Sequence, residues 1–272
     1  MKPLPASVVQ AGTPLIDSHC HLDSRAWEDD AGVDAVVQRA HAAGVSHMVA
    51  IGSGYGFESA NRAHAVASRH PDVLAAAGLH PHDAHEYSDE RLADLLALRD
   101  RGPGLVALGE MGLDYHYDYS PREEQRHAFR AQLIAARELE MPVIIHDRES
   151  GGETLQVLDE MRAWETGVLF HCYTGDASYM EEIVARGGYI SIPGIVTFKN
   201  SEMMREVAAR TPADRLLIET DSPFLTPVPY RGQKNEPAFV GFVAAKVAEV
   251  RGTTPEAIAT LAAANTRRYF RF

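Results

Sequence analysis

The chain has 272 residues, 45% hydrophobic and 24% charged, proportions of a soluble globular protein that exclude a disordered, fibrous or membrane-embedded chain. Against 26 Lys and Arg stand 38 Asp and Glu, a net charge of −12 that excludes a protein coating long nucleic-acid duplexes through a basic surface. Two cysteines, Cys20 and Cys172, are too few for a disulfide framework and fit a reducing compartment. The opening MKPLPASVVQAGTP lacks the apolar core of a secretory signal, and no apolar run is long enough to span a membrane, so a cytoplasmic, membrane-free protein is expected.

Residues 1–14 read as an irregular N-terminal extension and 15–272 as one domain. Strands are expected, in order, at Leu15–His21, Val45–Ile51, Val73–His80, Leu105–Glu110, Val143–Asp147, Val168–Cys172, Tyr189–Ile192 and Leu216–Asp221. Helical patterns separate them at Val33–Ala43, Ser59–Arg69, Asp89–Arg99, Arg122–Glu140, Glu153–Arg162, Ala177–Arg186 and Glu202–Arg210, with Glu236–Val250 and Pro255–Asn265 closing the chain. Several strands are near-continuous apolar runs, as strands covered on both faces are. Eight alternating units predict an α/β fold, a single (β/α)8 TIM-type barrel. The rival, an open doubly wound sheet, needs a Gly-rich phosphate turn after an early strand. Gly52-Ser53-Gly54-Tyr55-Gly56 lacks that spacing and reads as a loop entering a helix.

The strand ends carry the chemistry. His19 and His21 close the first strand two residues apart, so both imidazoles project to the same side and can share one ion. Asp17 is expected to support them from the same face. Glu110, His146, His171 and Asp221 stand at the carboxyl ends of the fourth, fifth, sixth and eighth strands, where barrel active sites are assembled from several strands at once. Nitrogen and oxygen ligands without thiolates suit Zn, Mn, Fe, Co or Mg, and the set is large enough for two divalent ions. Some barrel hydrolases bridge two ions with a carbamylated lysine on the fourth strand. The lysines here are Lys2, Lys199, Lys234 and Lys246, none of them on that strand, so Glu110 reads as the bridging carboxylate. Between two cations a bound water becomes hydroxide near neutral pH and attacks the substrate. Lys199 and Arg231, after the seventh and eighth strands, occupy positions where barrels commonly hold phosphate.

The blocks IDSHCHLD at 16–23, GLHPH at 78–82, GEMGLDYH at 109–116, PVIIHDRES at 142–150, HCYTG at 171–175, PGIVTFKN at 193–200, LLIETDSPFLTP at 216–227 and YRGQKNEP at 230–237 resemble the TatD family of metal-dependent deoxyribonucleases, among the amidohydrolase-like barrels. The likeness runs from about residue 15 to the C-terminus. It implies that His19, His21 and Asp221 hold one ion, His146 and His171 the other, with Glu110 bridging and Asp221 orienting or deprotonating the attacking water. It implies phosphate contacts from Arg148, His80 and Tyr173, and Mg, Mn or Zn as the metals. The substrate it implies is DNA, as a 3′ end or single strand cut by a 3′–5′ exonuclease with a place in DNA repair, with RNA as a further substrate and the protein a monomer.

Two rivals use the same residues. Metal-activated water also cleaves esters and amides, as in a D-aminoacyl-tRNA deacylase, and a non-catalytic metal-dependent nucleic-acid-binding module needs the ligands without turnover. The run Tyr115-His116-Tyr117-Asp118-Tyr119 after the fourth strand reads either as base-stacking surface or as packing over the barrel rim. His41, His47, His64, His70 and His127 receive no function, and Cys20 should point away from the ligands into the strand–helix layer.

Overall fold

A computed structural model describes residues 8–272. The expected extension falls partly outside the described residues, at 1–7, and runs on through bends and turns at 8–14. The strands are β1 Leu15–Cys20, β2 Val45–Gly52, β3 Val73–Ala77, β4 Ala107–Asp114, β5 Val143–Arg148, β6 Val168–Phe170, β7 Tyr189–Ile192 and β8 Leu216–Ile218. Around them lie α1 Asp30–Ala42, α2 Glu58–Arg69, α3 Asp89–Leu96, α4 Arg122–Glu138, α5 Glu153–Glu160, α6 Ala177–Ala185, α7 Glu202–Arg210, α8 Val240–Arg251 and α9 Pro255–Phe270. The eight strands are parallel and paired in chain order.

The two outer strands of that order meet. The Asp221 N–H donates to the His19 carbonyl at 3.0 Å and the His21 N–H to the Ser222 carbonyl at 2.8 Å, with Cys20 and Ser222 bridged in parallel. The sheet is therefore a closed (β/α)8 barrel whose seam is made by the backbone around three of the expected ligands.

Local sequence explains the outer layer. Asp29, Ser88, Asp176 and Thr254 each cap the N-terminus of a helix (α1, α3, α6 and α9) by accepting a backbone N–H with the side-chain oxygen, and Pro255 opens α9 with its φ already helical. Every residue of β1 and β4 is buried, because helices cover one side and the barrel interior the other. Inside the barrel Val49, Ile51, Ala107, Ile144 and Leu217 pack with Tyr269 and Phe270 at the end of α9. The Tyr269 hydroxyl donates to the carbonyl of Val143, the first residue of β5, at 2.6 Å. One end of the barrel is thus an apolar plug, and the polar interior residues gather at the other end.

Element boundaries move in ways that matter for the site. β4 continues to Asp114, so Glu110 lies inside the strand rather than at its end. The β4–β5 register slips between Leu108 and Met111, and Gly109 has φ 135° with the Ile144 carbonyl oxygen 2.5 Å from where a Cβ would stand. Only glycine fits this close approach, which lets the strand turn Glu110 inward. β6 and β8 stop short of His171 and Asp221, and Asp221 adopts the left-handed region at φ 55°. The last helix runs on to Phe270, past the expected Asn265, because its final turn plugs the barrel. The preceding helix starts at Val240, after a 3-10 turn at Pro237–Phe239.

Replacing Tyr269 by Phe removes the hydrogen bonds by which the plug holds the buried Val143 carbonyl and the Gly167 carbonyl. The expected loss is about 1–2 kcal/mol in unfolding stability with turnover unchanged, read by urea denaturation and activity assay in parallel. A comparable loss of turnover would show that the plug and the mouth are coupled.

Candidate metal centre

The structure brings all six expected ligands together at the carboxyl ends of the strands. Glu110 is their hub. Its Oε1 lies 3.4 Å from His21 Nε2, and its Oε2 lies 2.5 Å from His171 Nε2, 3.7 Å from His146 Nδ1 and 4.0 Å from His19 Nε2. Asp221 Oδ1 stands 3.5 Å from His21 Nε2 and 3.8 Å from His19 Nε2. The His19 and His171 rings stack with centroids 3.8 Å apart.

These groups fit a cation better than they fit one another. Both ring nitrogens of His19, and His171 Nδ1, are buried without a hydrogen-bond partner. Each such orphan costs about 1–3 kcal/mol unless something satisfies it. Three overlapping sets can each reach a single ion: His19 and His21 with Glu110, His80 and His146 with Glu110, and His19 and His171 with Glu219. Burial and the His171 charge beside it hold His19 well below the usual imidazole range. Burial opposes charge on Glu110 too, but the surrounding histidines outweigh it and keep the carboxyl ionised well below its usual range. Burial likewise works against a charged His171, and the Glu110 carboxylate overrides it, pushing this imidazole up to about 10. A cation entering the cluster therefore competes with a proton on His171, so binding weakens as pH falls.

A further layer fixes these side chains. Asp114 Oδ2 accepts from His146 Nε2 at 3.0 Å and from His82 Nε2 at 2.8 Å, which leaves His146 Nδ1 facing Glu110. Glu219 Oε1 accepts the Cys172 N–H at 2.6 Å and lies 3.6 Å from His171 Nδ1. Asp17 accepts from the Thr220 N–H at 2.9 Å and its hydroxyl at 2.5 Å, tying β1 to the segment after β8, while burial pushes its own carboxyl up to about 8. The Ser53 hydroxyl donates to Glu110 Oε1 at 3.0 Å. Glu219, Ser53 and the orienting role of Asp114 were not foreseen; for Glu219 the available signal was its place two residues before Asp221 at the same strand end.

The expected phosphate contacts divide. His80 lies inside the cluster, its Nε2 3.3 Å from His146 Nδ1. Arg148 lines the cavity of about 220 Å³ that opens over the cluster. Tyr173 is buried and its hydroxyl donates to the Asp176 carbonyl at 2.6 Å, so it supports the loop after β6. Lys199 and Arg231 are exposed and absent from the cavity wall. Arg231 is held elsewhere, its guanidinium over the Phe198 ring at 3.9 Å and Nη1 donating to Thr226 O at 3.1 Å. Tyr55 and Phe224 line the cavity instead. Cys20 turns away from the ligands, its Sγ donating to the Val49 carbonyl at 3.4 Å.

A closed parallel barrel with buried His, Glu and Asp side chains converging at the carboxyl ends of its strands defines a metal-dependent barrel hydrolase. Comparison with known proteins narrows this. The profile of the TatD related DNase family matches residues 16–271. The uncharacterized metal-dependent hydrolase YabD of Bacillus subtilis is 40% identical over 257 residues, 94% of this chain and 99% of its own length. The 3'-5' ssDNA/RNA exonuclease TatD of Citrobacter koseri is 39% identical over 243 residues, 87% of this chain and 92% of its own. The crystal structure of YJJV, a TatD homolog from Escherichia coli, superposes with a TM-score of 0.86 at 32% identity, covering 95% of this chain and 98% of that one. The chain belongs to the TatD-related DNase family of metal-dependent hydrolases. No helix among the described residues is long and apolar enough to cross a membrane.

Asp114→Asn leaves one oxygen to serve two histidines and two backbone donors. Affinity for Mn2+ should fall about 10–100-fold by calorimetric titration, with the fold kept by circular dichroism. Unchanged affinity would remove Asp114 from any role in orienting His146.

Proposed function

We propose that the chain is a two-metal phosphodiesterase that removes nucleotides from the 3′ end of single-stranded DNA and accepts RNA. The observation that carries this reading is the convergence of His19, His21, His146 and His171 on Glu110 at the mouth of the barrel, with Asp221 beside His19 and His21. In this reading His19, His21 and Asp221 would hold one ion and His146 and His171 the second, with Glu110 placed to serve both. Mg, Mn or Zn held there would acidify a water and neutralise the phosphoryl oxygens.

The chain's own groups have distinct tasks. Asp221 is the more open of the two central carboxylates and borders the cavity, so it can orient the attacking water and take its proton on a carboxylate oxygen. Glu110, buried and ringed by imidazoles, stays ionised and holds the cluster together. Arg148, whose guanidinium no acidic side chain engages among the described residues, can receive a phosphate oxygen at the cavity wall. In the same reading the protein acts as a monomer. Both cysteines are free, in keeping with a reducing cytoplasm. The names of relatives such as the Citrobacter exonuclease support single-stranded DNA and RNA as substrates. The net charge of −12 disfavours a grip on long duplexes and suits an enzyme that engages an end at its cation-lined mouth.

Incubation of the purified protein and Mn2+ with 3′-labelled single-stranded DNA should release mononucleotides from the labelled end. EDTA should abolish the release, and Asp221→Asn should lower kcat about 10²–10⁴-fold. Deacylation of a D-aminoacyl-tRNA with the DNA left intact would overturn the reading, and DNA binding without cleavage would assign a binding module.

A further inference from the structure

The loop between β4 and α4 carries the run Tyr115-His116-Tyr117-Asp118-Tyr119, which the metal centre leaves largely unused. Tyr117 and Tyr119 are 52% and 66% exposed, whereas aromatic rings are usually covered. Their rings form a near-parallel pair, centroids 5.3 Å apart and planes at 28°. The loop beneath them is held in place. Asp114 Oδ1 accepts the backbone N–H groups of His116 at 3.1 Å and Tyr117 at 2.9 Å, and Arg122 pairs with Asp118 at 2.7 Å while covering the Tyr115 ring.

The pair is also tied to the reacting end of the barrel. His82 stands edge-on to Tyr117 at 5.5 Å and to Tyr119 at 4.7 Å, lines the cavity over the cluster, and shares Asp114 Oδ2 with His146. Arg148, on the same cavity wall, accepts the Tyr115 N–H with its carbonyl at 2.9 Å. The loop that carries the ring pair is therefore fastened to the strand that lends Arg148 to the cavity wall. On the far side, Phe224 is 47% exposed, lines the same cavity and meets the His21 ring edge-on at 6.1 Å. Phe224 follows β8 and the tyrosines follow β4, four places apart in a closed order of eight, so the aromatic faces lie on opposite sides of the mouth.

We propose that Tyr117 and Tyr119 form a base-stacking platform for single-stranded nucleic acid on one side of the scissile phosphate, with Phe224 receiving a base on the other. The inference rests on the phosphodiesterase reading above and adds what selects the strand. Every nucleobase has a π-face, so such a platform tolerates any sequence. Bases in a duplex are already stacked and paired, so the platform discriminates against double strands. It also supplies affinity that an acidic surface cannot, since stacking does not depend on net charge.

The test uses Mn2+-loaded protein and a single-stranded oligonucleotide that carries 2-aminopurine in a hydrolysis-resistant phosphorothioate backbone. Stacking on the parent protein should quench the fluorophore. In the Tyr117→Ala/Tyr119→Ala variant the dissociation constant should rise about tenfold, and KM for an unmodified single strand should rise in step while kcat changes much less. Tyr117→Phe/Tyr119→Phe keeps the rings and should restore both values. Equal binding and KM in the alanine variant would overturn the platform, as would a phenylalanine variant as defective as the alanine one. A tyrosine-dependent shift in sedimentation with quenching unchanged would assign the pair to self-association and overturn it as well. If the parent binds the oligonucleotide but cleaves no single strand, the phosphodiesterase reading fails and the platform fails with it.

Discussion

The backbone seam between β1 and the segment after β8 is the constraint on which the rest depends. The hydrogen bonds that close the barrel, from Asp221 to the His19 carbonyl and from His21 to the Ser222 carbonyl, involve the same residues whose side chains enter the candidate metal centre. Asp17 reinforces the seam by taking two hydrogen bonds from Thr220. Closure and ligand geometry are therefore one event. A barrel that failed to close would separate His19 and His21 from Asp221, and a cation drawing those side chains together would favour closure in turn.

Around that seam the molecule divides by polarity. At one end α9 fills the barrel with Tyr269 and Phe270, and at the other the interior positions turn polar and leave buried nitrogens without partners. Such a cluster would be costly as a structural feature alone, since desolvation by burial opposes charge on His19, Glu110 and His171. The same desolvation makes the cluster useful to cations, because ligands held in place with little water among them need not reorganise. Divalent ions held there would reverse the local sign of the potential while the outer surface stays acidic, and would confine attraction for a phosphate to the mouth.

The barrel was legible because eight apolar runs alternate with helical patterns, and the period of each is set by backbone geometry. The six candidate ligands were legible as a cluster because each falls at or near the carboxyl end of a run, where a metal-capable side chain has no packing reason to stand. Side-chain direction was less legible wherever the backbone leaves its regular period. Tyr173 stands two residues past His171, which suggests a shared side, but Cys172 at φ 40° breaks the alternation and Tyr173 packs under its loop. Glu110 was expected at a strand end and instead enters from within β4 at a register slip that Gly109 permits. Lys199 and Arg231 were placed by chain position and by their motif blocks, and the loops that carry them leave both outside the cavity. Glu219 escaped notice because nothing in the run Glu219-Thr220-Asp221 says which carboxylate faces the mouth and which braces the Cys172 backbone.

In the proposed reading, closure of the barrel assembles a centre that would hold two ions beside Glu110. Anomalous scattering from crystals grown with Mn2+, recorded at the manganese edge, tests it most directly. The account predicts two peaks about 3.5–4 Å apart, one among His19, His21 and Asp221 and the other beside His146 and His171, both within bonding reach of Glu110. A single peak, or peaks away from Glu110, would contradict it.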